Sequence, residues 1–310
     1  MKKRKGIPIH GWVNLNKPAG IGSTQALAKV RRVLNAQKAG HGGTLDPLAD
    51  GILPIALGEA TKTVNYAQDA LKTYRFTVTW GEQRSTDDAE GEIIATSDIR
   101  PNEDDIKAIL PNFTGDIDQI PPKFSAIKVD GQRAYDLARD GEEVELKSRS
   151  VYIESLQILE HSTHTISFEC VCGKGTYIRS LARDMAQKLG TCGYISALSR
   201  TQVGPLTLKN AISLDFFDEM PDNTPIEDIV LPVETVLDDI PALALKDQEA
   251  SRLKHGNPLS FIAKPDMDRL KMIGIIPGEP ATALATYEGR PLALIEVDGP
   301  DIKVRRILNI

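Results

Sequence analysis

The sequence is organised around residues 40–51, which read Gly40-His41-Gly42-Gly43-Thr44-Leu45-Asp46-Pro47-Leu48-Ala49-Asp50-Gly51. Pro47 disfavours helical backbone geometry at Asp46, and the glycines before it permit positive φ angles and close approach of a ligand. The stretch therefore predicts a shaped loop that displays a carboxylate. Residues 52–57 follow as an almost entirely apolar run, which we expect to anchor the loop to a core. An ordinary surface turn is the alternative interpretation of the same residue types.

The composition is typical of a globular protein, because 41% of the 310 residues are hydrophobic and 26% are charged. This length predicts one large domain and one small one. The basic residues 2–5 resemble the start of a signal peptide, but no apolar segment follows, and no later run has membrane-spanning length. We therefore expect a cytoplasmic protein without a membrane partner. Cys170, Cys172 and Cys192 form no C-x-x-C motif, so neither a disulfide framework nor a metal site is predicted.

The charge distribution favours a polyanionic partner more than the net charge of −6 does. Residues 1–75 contain twelve lysines and arginines against four acids, whereas residues 76–120 contain three against eleven. A basic face can therefore exist on an acidic protein and attract RNA locally. A solvated charged surface is the alternative for each segment.

Hydrophobic periodicity predicts the elements around the loop. A helix is expected to begin at a cap formed by Ser23 or Thr24, before the loop. Residues 74–81 alternate as a strand in which Tyr74 shares a face with apolar side chains, so the pattern alone places this tyrosine in the core. Residues 165–172 alternate as another strand, with two cysteines on its apolar face.

A second stretch with chemistry reads Gly173-Lys174-Gly175-Thr176-Tyr177-Ile178-Arg179. It predicts a glycine-containing turn that leads into a helix, where free amide groups and Lys174 can hold an anion. A functional carboxylate such as Asp46 needs a nearby cation where water is excluded, and the guanidinium of Arg179 suits that role. An ordinary surface charge on a helix is the alternative for Arg179.

A change in composition marks a boundary near residue 240. Residues 213–245 contain nine acids and four prolines but no lysine or arginine, which is typical of a segment close to a domain boundary. Short β-type runs separated by turn residues follow. We therefore predict a domain of residues 1–240 and a small β module of residues 241–310.

Four blocks of sequence resemble the bacterial tRNA pseudouridine-55 synthases, over nearly the whole chain. They are residues 40–51; Ser125-Ala126-x-Lys128 with Gly131, Tyr135 and Ala138-Arg139; residues 174–179; and Leu198-x-Arg200. The resemblance implies an α+β fold, with a catalytic domain built on a central mixed, mainly antiparallel sheet flanked by helices. It also implies an RNA-gripping thumb at about residues 121–150 and a C-terminal RNA-binding module of the PUA type.

The family to which these blocks are similar isomerises uridine in the T loop of tRNA. The N1–C1′ bond is broken, the base turns, and C5 is joined to C1′. Asp46 matches the catalytic aspartate, and the resemblance leaves open whether this carboxylate attacks C1′ or removes a sugar proton. No metal or organic cofactor is implied, since uracil leaves and returns without redox change. The implied partner is the T stem-loop of tRNA, with no obligatory protein partner.

Five further positions match substrate-binding residues of the family. Tyr74 matches the aromatic residue that stacks on the flipped base, which reverses the core interpretation given above. Arg179 matches the partner of the catalytic carboxylate. Tyr177 and Leu198 match walls of the pocket, and His41 matches a residue that lies against displaced loop bases.

Two positions depart from the family pattern. The family loop usually has threonine where this chain has Gly42, and threonine or serine where it has Asp50. We expect Gly42 to loosen the loop and Asp50 to add negative charge, which changes affinity or pKa without abolishing activity.

Two other functions fit the same residues. A guide-dependent pseudouridylase of the archaeal and eukaryotic type is disfavoured by the short length and by the thumb block. A non-catalytic tRNA-binding or RNA-folding protein would use the same surface.

Overall fold

The computed structural model describes residues 6–125, 128–129, 132–133, 146–276 and 278–310, with backbone alone at 128–129 and 132–133. Much of the thumb predicted at about residues 121–150 lies outside these residues. None of the described helices is long and apolar enough to cross a membrane.

The strands, in chain order, are β1 (Gly11–Lys17), β2 (Ala39–His41), β3 (Asp50–Leu57), β4 (Lys72–Trp80), β5 (Glu82–Arg84), β6 (Ile93–Thr96), β7 (Gly115–Gln119), β8 (Lys128–Val129), β9 (Gln132–Arg133), β10 (Arg149–His161), β11 (Thr165–Cys172), β12 (Gly193–Val203), β13 (Leu206–Thr207), β14 (Ile212–Ser213), β15 (Ala242–Ala244), β16 (Leu259–Ser260), β17 (Ala281–Tyr287), β18 (Arg290–Asp298) and β19 (Asp301–Ile307). The α-helices are α1 (Ser23–Val33), α2 (Val64–Asp69), α3 (Glu103–Ile109), α4 (Ile178–Lys188), α5 (Phe216–Glu219), α6 (Asp247–Lys254) and α7 (Lys264–Met272). Short 3-10 helices cover Gly58–Lys62, Leu110–Phe113, Leu208–Asn210, Ile226–Asp228 and Val233–Val236.

Within the described part of the chain, ten strands form one large sheet. Its order is β14-β1-β3-β12-β4-β11-β10-β7, with β2 paired to β3 and β13 paired to β12. The neighbours are antiparallel except for β1 with β14 and β3 with β12, which are parallel. This is the mixed, mainly antiparallel sheet flanked by helices that the family resemblance implies. Because β3 and β12 are both interior strands, the chain leaving the Asp46 loop enters the middle of the sheet.

The apolar run after the loop is buried, as predicted. Residues 52–57 lie on β3 and are all buried. Leu53 and Ile55 pack in one cluster with α1, whereas Ile52 belongs to a second cluster on the other face, as the two-residue period of a strand requires. The loop is therefore anchored to a strand that contributes to two cores.

The C-terminal residues form a second sheet with the order β15-β17-β18-β19-β16. It encloses its own core, in which Leu253 and Ile295 are fully buried. A separate buried cluster joins it to the large sheet and includes Trp12, Val236 and Leu294. The division of the chain at residue 240 and the PUA assignment remain predictions.

Candidate active site

A cavity of about 1030 Å³ opens where residues 42–48 precede β3. Its walls are the loop itself, the start of α1, the turn before α4, the first residues of β4 and Arg200 of β12. A cavity of this size accommodates a nucleotide together with its sugar and phosphate. Of the six residues predicted for the site, the structure brings four to this cavity: Asp46, Tyr74, Tyr177 and Arg179.

The other two predicted residues lie close by but do not line the cavity within the described residues. Leu198 is on β12, opposite Phe76, and is buried in the core that Tyr74 also contacts. His41 is on β2, opposite Ile55 of β3. Burial lowers the pKa of His41, and the positive charge of Arg200 lowers it further. Both effects favour the uncharged form of the His41 imidazole.

The backbone of the loop is held by a buried serine. The Ser23 hydroxyl donates to Leu45 O and accepts from Leu45 N, each at 2.8 Å. Gly22, not Ser23 or Thr24, is the N-cap of α1, so the predicted cap is wrong by one residue. Ser23 is instead the first helical residue, and its side chain fixes the residue next to Asp46.

A buried lysine holds the other side of the loop. The ammonium group of Lys17 donates to Pro18 O at 2.8 Å and Ile21 O at 2.9 Å, with a longer contact of 3.5 Å to Pro47 O. Burial lowers the pKa of Lys17 to about 8, although the charges of Asp50 and Asp46 oppose this change. The loop thus rests against a cation that is costly to keep charged.

Arg179 lies in the first turn of α4 and pairs with Asp46, as the sequence predicts. The distance between Arg179 Nε and Asp46 Oδ2 is 2.9 Å, and the two side chains are 5% and 32% exposed. The Nε–H group is not aligned for a hydrogen bond to any described residue, so this contact is an ion pair of close charges. The other two nitrogens donate to Thr86 O and Phe124 O, each at 3.0 Å. Arg179 is consequently fixed by backbone carbonyls and presents its charge to Asp46.

A second carboxylate shares this arginine, and sequence reasoning missed it. Asp88 Oδ2 lies 3.3 Å from Arg179 Nη1, and the Asp88 side chain is 3% exposed. Its other oxygen accepts the amide of Glu90 at 3.0 Å and the hydroxyl of Thr86. In the sequence, Asp88 lies within a polar run that resembles a solvated loop. The adjacent pair of acids, Asp87-Asp88, was the available signal.

Two tyrosines complete the cavity wall. Tyr74 lies on the buried face of β4, between Lys72 and Phe76, and burial raises the pKa of its phenol while the charge of Arg200 opposes the increase. Tyr177 is the N-cap of α4, and both its backbone groups are bound by the side-chain amide of Gln119, at 2.8 and 3.1 Å. The guanidinium of Arg149 lies 4.9 Å from the centre of the Tyr177 ring. Tyr177 is therefore held by hydrogen bonds to its backbone and by a guanidinium against its ring.

This arrangement offers a partly exposed carboxylate, a buried guanidinium and aromatic rings in one cavity. A carboxylate in that setting can attack an electrophilic carbon or accept a proton. Aromatic rings provide faces on which a planar base stacks. Within the described ranges, no group of three or more histidine, cysteine, aspartate or glutamate side chains is arranged to hold a metal ion.

Two stretches of the chain match known protein families. Residues 31–178 match "TruB family pseudouridylate synthase (N terminal domain)". Residues 179–238 match "tRNA pseudouridylate synthase B C-terminal domain". Together the two matches cover more than half of the chain.

Proteins of similar sequence extend the likeness over the whole chain. The chain is 48% identical to tRNA pseudouridine synthase B of Rhodospirillum rubrum, over 100% of this chain and 99% of the relative. It is 47% identical to the protein of the same name from Caulobacter vibrioides, again over 100% and 99%. For the one from Bradyrhizobium diazoefficiens the identity is 50%, over 99% and 88%.

Solved structures share the fold. A chain of "Crystal Structure of a Cbf5-Nop10-Gar1 Complex" has a TM-score of 0.71 at 26% identity and covers 96% of this chain and 85% of its own length. A chain of "Structure of H/ACA RNP bound to a substrate RNA containing 2'-deoxyuridine" has a TM-score of 0.72 at 23% identity, over 100% and 92%. These structures confirm the fold class predicted from the sequence, and the family matches with the relatives of similar sequence confirm the enzyme class. The chain belongs to the TruB family of tRNA pseudouridine synthases, the isomerases that convert uridine to pseudouridine in tRNA.

Proposed function

We propose that this chain isomerises uridine 55 in the T loop of tRNA and that Asp46 is its catalytic carboxylate. The observation that carries this proposal is the ion pair of Asp46 with the buried Arg179, inside a cavity that Tyr74 also lines. Arg179 balances the charge of this carboxylate when a bound nucleotide covers it. Among the described residues, no hydrogen bond occupies Asp46 Oδ1, so this oxygen is available to the substrate.

The target base must leave its stack to reach this cavity. A uridine within a folded loop has its C1′ and C5 atoms covered by neighbouring bases, and turning the nucleotide outward exposes them. Tyr74 then stacks on the uracil, since its ring lies on the cavity wall. Tyr177 and Leu198 support the walls, and His41 contacts loop bases displaced by the flip.

The reaction rearranges bonds without changing composition. The N1–C1′ bond breaks, the uracil turns within the cavity, and a C5–C1′ bond forms. The hydrogen on C5 leaves and N1 ends with a hydrogen, so the product is an isomer of the substrate. Asp46 either attacks C1′ or removes a proton from the sugar, and both roles place its carboxylate beside the ribose. No oxidation state changes, so the proposal includes neither a metal nor an organic cofactor.

The rest of the chain serves RNA binding in this proposal. We assign residues 241–310 to a PUA-like RNA-binding module and about residues 121–150 to a thumb that grips the T stem-loop. Lys303, Arg305 and Arg306 are exposed on β19, which supports a phosphate-binding surface there. The chain then works in the cytoplasm without an obligatory protein partner.

An unmodified tRNA transcript tests the proposal directly. The purified chain, with no added protein or guide RNA, should convert uridine 55 to pseudouridine, as measured by base analysis. A transcript with cytidine at position 55 should gain no pseudouridine. Asp46→Asn should bind the transcript but give no product, whereas Asp50→Asn, in the same loop, should retain turnover.

Each alternative predicts a different result. Binding without any product from the wild-type chain would indicate an RNA-binding or RNA-folding protein. Product only after addition of a guide RNA would indicate a guide-dependent enzyme. Full turnover by Asp46→Asn would show that another residue is the catalytic one.

A further inference from the structure

Arg200 lies in the floor of the cavity, on β12, and only 2% of its surface is exposed. Its guanidinium donates to three backbone carbonyls: Nε to Ile52 O at 2.7 Å, Nη2 to Gly43 O at 3.2 Å and Nη1 to Thr44 O at 3.4 Å. Gly43 and Thr44 precede Asp46 in the chain, and Ile52 follows it. One side chain therefore joins both ends of the loop that displays the carboxylate.

The same arginine is the cross-strand neighbour of Tyr74. The two residues are directly opposite in the antiparallel ladder of β12 and β4, so their side chains project from the same face of the sheet. Both line the cavity. The effect of Arg200 on the pKa of the Tyr74 phenol, which opposes the larger effect of burial, agrees with this proximity.

The backbone of Arg200 is also tightly held against β3. Gly51 pairs with Arg200 in the parallel ladder of β3 and β12, and its φ of 102° is one that side chains rarely adopt. A Cβ atom at Gly51 would lie 2.2 Å from the carbonyl oxygen of Arg200. Arg200 is thus fixed between β3, β4 and the loop, and its guanidinium has little freedom to move.

The contacts of Arg200 do not serve charge pairing. Within the described residues it has no carboxylate partner at ion-pair distance. Each of its three nitrogens donates to a backbone carbonyl, and the guanidinium also lies close to the Tyr74 phenol. A planar fork of donors can bind several carbonyls at once, whereas a lysine ammonium binds as a point. Such contacts fix the shape of a backbone.

We propose that Arg200 is a positioning residue that holds the Asp46 carboxylate at a set distance from the Tyr74 ring. In this way it aligns the sugar of the flipped nucleotide with Asp46 while Tyr74 holds the base. The inference rests on the proposed roles of Asp46 and Tyr74. Because Arg200 is buried beneath the substrate, its loss acts on the rate and not on RNA affinity. A displacement of about 1 Å costs on the order of 100-fold in rate.

Single-turnover kinetics on the tRNA transcript test this role. Arg200→Met should lower the rate of pseudouridine formation about 100-fold and change the Kd for the transcript by less than about threefold. Arg200→Lys should fall between, because an ammonium reaches fewer of the three carbonyls. Arg100→Met is the matched control: that arginine donates to Ser97 O at 2.7 Å and Ile99 O at 3.0 Å, away from the cavity, and its loss should leave the rate unchanged.

A double-mutant cycle separates positioning from a general loss of stability. Tyr74→Phe keeps the ring but removes the hydroxyl, and Arg200→Lys should cost less in rate in this background than in wild type. A purely structural role predicts that the fold reduction in rate of the double mutant equals the product of the fold reductions of the two single mutants. Circular dichroism identifies variants that fail to fold; if Arg200→Met is one, the cycle with Arg200→Lys still decides the question.

Three results would overturn the inference. The first is a folded Arg200→Met enzyme with the wild-type rate. The second is an Arg200→Met enzyme that binds the transcript more weakly but reacts at the wild-type rate. The third is a double mutant whose reduction in rate is the product of the two single reductions. Failure of the proposed function is recognised separately, since the wild-type chain would then form no pseudouridine or Asp46→Asn would remain active.

Discussion

Two buried arginines border the cavity and are used in different ways. Arg179, on α4, places its charge between the carboxylates of Asp46 and Asp88. Arg200, on β12, gives its donors to the carbonyls on either side of the loop. Arg179 therefore balances charge in this site, whereas Arg200 fixes the shape of the loop. Removing the first leaves the buried Asp88 and the partly exposed Asp46 without their shared cation, and removing the second releases the backbone of the loop.

The largest effect is expected at the charge-balancing arginine. Arg179→Met leaves Asp46 and Asp88 without their cation, so the free energy of unfolding should fall by about 3–5 kcal/mol and the rate should be almost abolished. Urea denaturation and single-turnover kinetics measure both. Arg183→Met is the control: Arg183 lies one turn further along α4 and pairs with Asp87 at 3.1 Å. Its loss should reduce stability but retain turnover, and equal rate losses in both variants would contradict the assignment.

The next effect concerns the shape of the loop. Ser23→Ala leaves the buried N–H and C=O of Leu45 without their partner, which should cost about 3 kcal/mol of stability and slow the reaction with little change in Kd. Thermal or urea unfolding measures the first quantity. Thr63→Ala is the control, because its buried hydroxyl donates to Ala60 O at 2.9 Å, away from the cavity. A rate loss of the same size in the control would rule out a specific role for Ser23.

A smaller effect is expected at Gly42, where the structure differs from the loosening expected from sequence. The Gly42 amide donates to Pro54 O at 2.8 Å, and an added Cβ would lie 2.9 Å from Ala67 Cβ. Gly42→Thr, which restores the usual family residue, should therefore overpack this contact and cost about 2 kcal/mol in urea unfolding.

Two variants check that crowding is the cause. Gly40→Thr should be tolerated, because the nearest atom to its Cβ would be 3.9 Å away. Ala67→Gly should recover part of the loss caused by Gly42→Thr. If Gly42→Thr is as stable as wild type, the loop has more room than these distances allow.

The smallest effect is a pH dependence of stability that arises from Lys17, which lies against the loop. Burial lowers the pKa of Lys17 from 10.5 to about 8, so the unfolded chain binds more protons than the folded one between these values. Wild type should gain stability relative to Lys17→Met as the pH rises from 8 to 9, by about 1 kcal/mol, and the difference should become flat below about pH 7, where both states are protonated. Leu15→Met, on the same strand, removes no titratable group and should show no such trend. A trend of opposite sign would contradict the assignment.

Short-range sequence patterns were sufficient to predict the strands and the helix that carry the site. The predicted strands at 74–81 and 165–172 correspond to β4 and β11, and the predicted turn into a helix at 173–179 leads into α4. Alternation and turn residues are short-range properties, so they can be seen in a single sequence. The same rule placed Tyr74 in the core from pattern alone. In the structure it is half-buried, between the buried Lys72 and Phe76 on the same face, because β4 borders the cavity there.

Long-range contacts account for what the sequence did not reveal. From its neighbours in the sequence, Asp88 is interpreted as part of a solvated loop. In the structure the amide of Ile195 on β12 donates to Asp87 O at 3.1 Å, and this contact holds the loop beside Arg179. Ser23 has the residue type of a helix cap, but in the structure its hydroxyl binds the backbone of Leu45. Neither contact leaves a periodic signal, since the partners are far apart in the chain.

The sequence by itself determined the glycine-rich loop with Asp46 at its centre, its apolar anchor, the strands and helices that surround it, and the resemblance to a family. These depend on residue types at short spacing, where sterics and periodic burial act directly. Only the tertiary structure decided which cations meet the loop and what each one does there. Arg200 reaches Gly43 and Thr44 across more than 150 residues, and that contact exists only because β12 pairs between β3 and β4.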